Sequence, residues 1–575
     1  MQTRLKTLGR VLAVYLGSSW VLMEVFIFLT QRYGLPPGLQ DVLLLLITFA
    51  LPIVIINNWY KSWKNKYAII LISLNVFVAS WLIGSAVVKA FKETETVNIG
   101  SITGEDNKIN SVAVLPFENL TGEKDIEHII DGIHSAISNK LGGIGRFIVI
   151  SDRSTRKYKG SHLSISEIAE ELNVGAIVDG VVLGSTDSMR IQVSLVTPSP
   201  EKQIWADAFD QSTNNILKMY SDIAGKITQQ IDKTFNPDTD LVPPVEAKKE
   251  AVYAYWKGRS HQNRLTREDL ELGLEYYNQA IRHDSSYAPA YAGIASAWVV
   301  KAQMNVVPFH EAAKEGRQYI EKALELDNND ANVHSNRATY YGWAGWDWDI
   351  AYEGFLRAIR LNPSLAGARA GYAFFLVCMK ENDEAKYQIR KALELDPPNQ
   401  FYLSFYAMIL NFSGDYDKVI DLLTDKEGNI TETALSHSTL RTTYHLMGDQ
   451  TNAIKMWELY YEDRKDTAAV TIIRKIYKKE GYGAALTALG ELMEYRKKND
   501  IEYVPAWNLC TIYLRAGEHD RSLKWLEKAF EEHSVNMPSI NTDPIFDPIK
   551  DHPRFMAVHE KMKFPESIKA EHLLE

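Results

Sequence analysis

AGARAGYAFFLVCMKENDEAKYQIRKALELDP, residues 366–397, decides the architecture of the chain's C-terminal half. Tyr372, Ala373 and Leu376 lie at the spacing of one helix face, and Ala385, Ile389 and Ala392 lie at that of another. Pro397 closes the unit. The pattern repeats outward from here. Ala351, Ala385, Val419 and Ala453 are each 34 residues apart, and Ala358 with Ala392 and Pro363 with Pro397 keep the interval. Gly414, Gly448 and Gly481 follow at 34 and 33. Small residues at fixed places let two antiparallel helices approach closely, and a proline starts the next pair. One such pair cannot cover its own apolar face, so the pairs must stack.

A 34-residue helix–turn–helix period is the signature of the tetratricopeptide repeat (TPR). About eight units are expected over residues 250–533, beginning near 250, 287, 331, 366, 400, 434, 467 and 503. The second carries an insertion around Val306–Phe309 and the seventh is degenerate. Residues 534–575, with Asp543–Asp547 punctuated by prolines and then His552-Pro-Arg-Phe555, read as the polar cap that covers the last repeat. TPR arrays take peptides along the groove lined by the first helix of each repeat. Carried onto this chain, the groove positions are Asn336, Tyr340, Trp343, Phe374, Met408, Asn411 and His445. Aromatic and Met side chains there would anchor a partner.

Upstream the period changes. Ser111–Phe117 is a short apolar strand, and Ile126, Ile129, Ile130, Ile133, Ile137 and Leu141 then mark a helix face that Gly142, Gly143 and Gly145 are expected to end. A second strand follows at 146–151. Ser164 and Glu167 have capping-box spacing ahead of the stripe Ile165, Ile168, Ala169 and Leu172. Residues 176–184 and 189–197 form a hairpin in which Ile191, Val193 and Leu195 alternate with Gln192 and Ser194. A strand at 203–209 and a helix at 214–235 complete a small α+β domain over 109–235, with linkers at 93–108 and 236–249.

The runs SVAVLPFENLTGEKDIEHIIDGIH, RFIVISDRSTRKYKG, EIAEELNVGAIVDGVV and RIQVSLVTPSPEKQIWADAFD resemble the TolB-like N-terminal domain, which is related to the FlgO-like family. The resemblance implies a non-catalytic module for contacts or sensing, of the kind found between a membrane anchor and TPR repeats in bacterial proteins. Relatives with a winged-helix or class III adenylate cyclase domain carry an output domain that this sequence lacks. His134-Ser135-Ala136 departs from the more acidic helix usual in the family.

The first ninety residues predict membrane. Apolar runs at about 11–30, 42–58 and 67–88 read as three transmembrane helices, the second marginal in length. With all three runs spanning, Arg4, Lys6 and Arg10 before the first and Lys61, Lys64 and Lys66 after the second place the N-terminus inside and the soluble domains outside, in the periplasm; a second run that only dips into the interface would leave them cytoplasmic. Glu24, within the first run, has no basic partner in the other two and reads as a helix contact. The expected fold class is therefore multi-domain: transmembrane helices, a TolB-like α+β domain and an all-α TPR superhelix.

A net charge of −10, with no Lys/Arg-rich run, argues against general nucleic-acid binding. Two cysteines, Cys378 and Cys510, cannot make a disulfide framework and sit in helical patterns as small apolar residues. Leu141–Gly145 lacks the spacing and lysine of a phosphate loop. His128 and His134, six residues apart, are poor metal-ligand spacing and read as solvated surface groups, and Asp396 reads as a repeat-boundary residue. No catalytic motif, metal site or small-molecule cofactor is expected. The reading is a membrane-anchored, non-enzymatic scaffold for protein or peptide partners. The alternative is a transmembrane sensor whose output lies in another protein.

Overall fold

The computed structural model describes residues 109–568, apart from 124–125, 186–187, 213–215, 235, 241–246, 265, 304–305, 398, 426–429, 431–433 and 567. The three expected spans and the 93–108 linker lie outside the described residues. Among the described residues, no helix is long and apolar enough to cross a membrane.

The described residues begin with a mixed sheet. Its strands are β1 (Ser111–Val114), β2 (Glu118–Asn119), β3 (Ile148–Val149), β4 (Ala176–Gly184), β5 (Ser188–Pro198) and β6 (Glu201–Ser212). They lie in the order β3-β1-β4-β5-β6, with β2 paired to β4. The β1–β3 and β1–β4 pairs are parallel; β4–β5 and β5–β6 are antiparallel. Alternation sorts the side chains to two faces. Val112, Val114, Val178 and Ile191 meet α1 (Glu127–Ile144) and α4 (Ile216–Ile231) on one face. Ala113, Leu115 and Ile177 meet α3 (Ile165–Leu172) on the other. The expected capping box holds α3: Ser164 accepts from the Glu167 amide and Glu167 reaches back to the Ser164 amide. Between β3 and α3 runs the short α2 (Asp152–Thr155).

Two expectations about α1 need correction. The helix does not stop at Gly142; it runs to Ile144 and ends at Gly145, whose φ of 70° is the left-handed C-cap that favours glycine. Gly142 and Gly143 lie inside it. His134 is not solvated either: it is 2% exposed, and its Nε2 donates to the Val114 carbonyl at 2.9 Å. Burial pushes its pKa down, so the ring is neutral. His134 lies four residues after Ile130 and three before Ile137, within the apolar stripe. His128 is half-buried.

After the one-turn α5 (Pro237–Asp240), helices follow in hairpins. These are α6 (Lys249–Gln262) with α7 (Arg267–His283), α8 (Ala288–Gln303) with α9 (Phe309–Leu326), and α10 (Ala331–Tyr340) with α11 (Trp348–Leu361). Next come α12 (Ala366–Cys378) with α13 (Asn382–Leu395), α14 (Gln400–Phe412) with α15 (Tyr416–Leu423), and α16 (Ala434–Leu446) with α17 (Gln450–Asp463). The last are α18 (Thr467–Glu480) with α19 (Tyr482–Lys498) and α20 (Ala506–Ala516) with α21 (His519–Glu531). Each helix packs on its hairpin partner and on the next hairpin. The C-terminal part is thus a TPR-like all-helical superhelix behind a small α/β domain. The small residues do the work the period implies: Ala351, Ala358, Ala385, Ala392, Val419 and Ala453 are all fully buried. A Cβ on Gly354 would come within 2.9 Å of the Ala338 Cβ, and one on Gly371 within 2.6 Å of the Phe355 ring.

The α/β domain is docked on the array. The Ser151 amide donates to the Leu395 carbonyl at 2.8 Å, and the Val149 amide to Ser364 Oγ at 3.1 Å. Asp396, at a repeat boundary as expected, is 2% exposed; it accepts from Ser154 Oγ across the interface and from Asn399 Nδ2 at 2.6 Å beside it. Repeat-boundary turns thus serve as the landing surface. Gly142 is needed there, because a Cβ would sit 2.8 Å from Oδ1 of the buried Asn362. Gly143, one residue on, is exposed, and its Cβ would meet only the Leu361 carbonyl at 3.6 Å.

This contrast gives a test by chemical denaturation. Gly142→Ala overpacks the interface and is expected to destabilise by about 1–3 kcal/mol. Gly143→Ala is expected to be neutral or to stabilise by up to about 1 kcal/mol through helix propensity. Equal effects of the two would contradict the docked arrangement.

Candidate partner-binding face

The first helix of each hairpin presents the residues expected to line a groove, and the structure distributes them unevenly. Tyr340 is fully buried, and its hydroxyl donates to the Ala295 carbonyl at 2.6 Å. Trp343 meets Phe355 edge to face at 5.9 Å and lies tilted against Phe374 at 5.4 Å, and Phe374 continues to Phe405 at 5.4 Å. Trp343, Phe374 and Asn411 are 9%, 5% and 2% exposed. Asn336, Met408 and His445 are half-buried, with Met408 against the same core as Trp343 and Phe374. Trp343, Phe374 and Met408 therefore share one cluster, whereas His445 lies apart and pairs with Tyr482, 3.2 Å from its hydroxyl.

Trp343, Phe374 and Met408 share their apolar core with residues 537–564. Beyond α21 the backbone makes two 3₁₀ turns, Met537–Asn541 and Pro544–Phe546, and then α22 (Pro553–Lys561). Ile540, Ile545, Phe546, Phe555 and Met562 join one apolar core with Trp343, Phe355, Phe374 and Phe375. Polar groups fix the register. Asn541 Nδ2 donates to the Cys378 carbonyl at 2.9 Å, and Trp348 Nε1 to the Met562 carbonyl at 3.0 Å. His559 Nε2 meets Asn541 Oδ1 at 2.9 Å. Trp348 stacks on Phe564 at 5.1 Å, and Trp346 on His533 at 4.6 Å and Phe530 at 4.9 Å. The third and fourth hairpins thus touch the eighth and the segment after it.

The contact on Trp346 depends on irregular backbone. After Tyr340 the helix widens into a π turn over Tyr341–Gly345, and Trp346 takes φ 51°. A tryptophan in the left-handed region is strained, and here the contacts of its ring with Phe530 and His533 hold it. Tyr341–Gly345 joins the groove residue Trp343 to the two closing tryptophans, and no periodicity announced it.

A second polar group lies deeper. Arg515, 8% exposed, donates to Thr442 Oγ1 at 2.9 Å and to the Thr511 carbonyl at 3.1 Å. Burial and the neighbouring Arg441 push its pKa down to about 10. Arg441 lies 4.0 Å over the Trp457 ring. Burial, then Arg515, lowers His445 to about 4, so it is neutral. From the C-terminal segment comes Asp543, raised to about 6 by burial, against the pull of the Ile545 amide and Arg515. Both cysteines are buried and free, as expected of packing residues. Among the described residues no three His, Cys, Asp or Glu side chains converge to hold a metal ion.

No family model matches the chain. A Rhizobium meliloti protein named as an adenylate cyclase is 26% identical over 121 residues, 21% of each chain. The transcriptional regulator HilA of Salmonella typhimurium is 18% identical over 299 residues, 50% of this chain and 51% of HilA. The chain thus spans about a fifth of the first and about half of the second. Among solved structures, YrrB, described as a TPR protein with an unusual peptide-binding site, is 24% identical, with 31% of this chain and 89% of YrrB covered at a TM-score of 0.23. The Cut9–Hcn1 hetero-tetramer structure is 12% identical, with 97% and 95% covered at 0.33. At such scores the character of the array rests on its own hairpins and 34-residue period.

The titrations predict a pH signature. Asp543 is raised in the fold, so its ionisation opposes folding; its contribution is most favourable below pH 4 and is lost as pH rises through about 6. His445 is depressed, so its contribution is present above pH 6.5 and lost as pH falls through about 4. Asp543→Asn keeps the Ile545 cap and removes the first term. Relative to the unmodified chain, it is expected to gain stability between pH 4 and 7, on the order of 2 kcal/mol. Melting midpoints across that range check this; a constant offset between the two proteins contradicts it.

Proposed function

We propose that the chain is a non-catalytic scaffold that takes protein or peptide partners on the inner face of its array. The observation that carries this reading is the C-terminal segment itself. An irregular, proline-punctuated stretch lies against α12, the first helix of the fourth hairpin, and against Trp348 at the start of α11 in the third. It is held by ring stacking, apolar side chains and two side-chain donors on main-chain carbonyls. These are the means by which an array of this kind would hold another chain's segment. The segment occupies that face in cis, so a partner competes with it.

The α/β domain, read as TolB-like, serves as a second contact surface. The apolar runs at 11–30, 42–58 and 67–88 anchor the chain in a bacterial inner membrane, with the N-terminus cytoplasmic and the array periplasmic. The charge bias around those runs supports this side, and reporter fusions at the N-terminus and after residue 100 would establish it.

The inner-face reading is tested without knowing the partner. A chain ending at residue 533, checked for helix content by circular dichroism, is titrated with a labelled synthetic peptide of residues 534–568. Saturable binding is expected, weakened at least tenfold by Trp348→Ala, which removes both the ring stack and the indole donor. A folded truncated chain that ignores the peptide would overturn the proposal.

A further inference from the structure

A polar cleft of about 300 Å³ opens where the α/β domain meets the first hairpin. It is far in sequence from the groove residues, and the scaffold reading makes no use of it. Three arginines line it: Arg156, just after α2, from the α/β side, and Arg259 and Arg264 from α6 and the turn after it. Ser135 and Asn263 add hydrogen-bonding groups. Asp131, the acid in the wall, is already engaged by Lys159 at 2.7 Å. A chain with a net charge of −10 has thus gathered three guanidinium groups around one small space.

The arginines are set in place from behind. Asp152 accepts from Arg156 Nη2 at 2.8 Å and from Ser135 Oγ at 2.5 Å, and faces Arg259 Nη2 at 3.8 Å. Burial alone would raise the Asp152 pKa, but Arg259, Arg156 and the hydrogen bond from Ser135 hold it well below the usual carboxylate range. One carboxylate therefore orients two guanidiniums and neutralises only one charge. Arg264 shares Asp269 with His261 and Thr266, at 3.2 Å from Oδ1. Each guanidinium has five N–H donors, and these contacts use a minority of them. Asp152 and Asp269 together bring two negative charges to three guanidiniums, which leaves positive charge unmatched around the cleft until an anion joins it.

The floor is rigid and apolar. Trp256 is 4% exposed and lies flat on Gly132, where a Cβ would fall 2.2 Å from Trp256 Cδ2. A cleft of this volume is at the lower end for small-molecule sites and larger than bare phosphate requires. Arginine is the side chain best matched to the oxygens of a phosphate group, through paired N–H donors.

We propose that this cleft binds a small phosphate monoester, its phosphate held between Arg156 of the α/β domain and Arg259 and Arg264 of the first hairpin, its organic body against Trp256. Because the arginines come from both sides of the junction, the ligand fastens the α/β domain to the array.

The test uses the full-length chain, purified in detergent, at constant ionic strength. Inorganic phosphate, ribose 5-phosphate and succinate are titrated by calorimetry, with melting midpoints in parallel. Ribose 5-phosphate is expected to bind saturably and at least tenfold more tightly than inorganic phosphate, with succinate weaker than both. Arg264→Gln removes a largely exposed side chain and is expected to lower affinity at least tenfold while leaving the ligand-free midpoint in place. Ser260→Glu puts a carboxylate at the rim and is expected to abolish binding. The proposal is overturned if no phosphate binds up to about 20 mM, if succinate binds as well as ribose 5-phosphate, or if both folded variants bind as the unmodified chain does.

Discussion

A helical hairpin buries one face on its neighbour and leaves another bare, and everything else in this structure answers that constraint. Stacking passes the problem along the array without removing it. The first hairpins are covered by the α/β domain: Ala251, Val252, Trp256, Tyr287 and Ala290 share a core with the sheet and with α1 and α4. The far end is covered by the residues after α21, which also reach back to the third and fourth hairpins. Since burial is worth about 25 cal/mol per Å² of apolar surface, covering several aromatic rings this way is a large stabilising term. It explains why a polar, proline-rich tail is kept close to the core.

Both covers use the array's irregular points. The α/β domain lands on the turns where one repeat hands over to the next, at Asn362–Ser364 and Leu395–Asp396, where unpaired carbonyls and short side chains are available. The C-terminal segment closes on the π turn and on Trp346 and Trp348. The regular helix faces carry the stacking, and the departures from regularity carry the recognition.

The distinction also separates what could be read from the sequence from what could not. The hairpins were legible because Ala351, Ala385, Val419 and Ala453 occupy crossings where only small side chains fit, and such a requirement repeats with the geometry. The sheet was legible because β5 alternates, with Ile191, Val193 and Leu195 inward and Gln192 outward. The capping box at Ser164 was legible for a similar reason: it is local. His134 was misread because its polar ring was weighed without its place on the apolar stripe between Ile130 and Ile137, and the carbonyl that satisfies it, on Val114, lies 20 residues away in sequence. Of the groove residues, Tyr340, Trp343, Phe374 and Asn411 lie on first helices or the turn continuing one, but the segment that shares a core with Trp343 and Phe374 has no local signal beyond Phe546, Phe555 and Phe564 in a polar stretch. The arginine cleft was invisible for the same reason, being assembled from two domains.

The account depends on the C-terminal segment lying against the array in solution. Hydrogen exchange of the amides between Met537 and Met562, followed in the intact chain, measures this directly. The amides of Met562, Thr542 and Phe546, which hydrogen-bond within this segment, are expected to be protected to nearly the degree of α12, and Trp348→Ala to strip that protection while α12 keeps its own. Exchange across 537–562 at the rate of an unstructured chain, with α12 fully protected, would contradict the closed array.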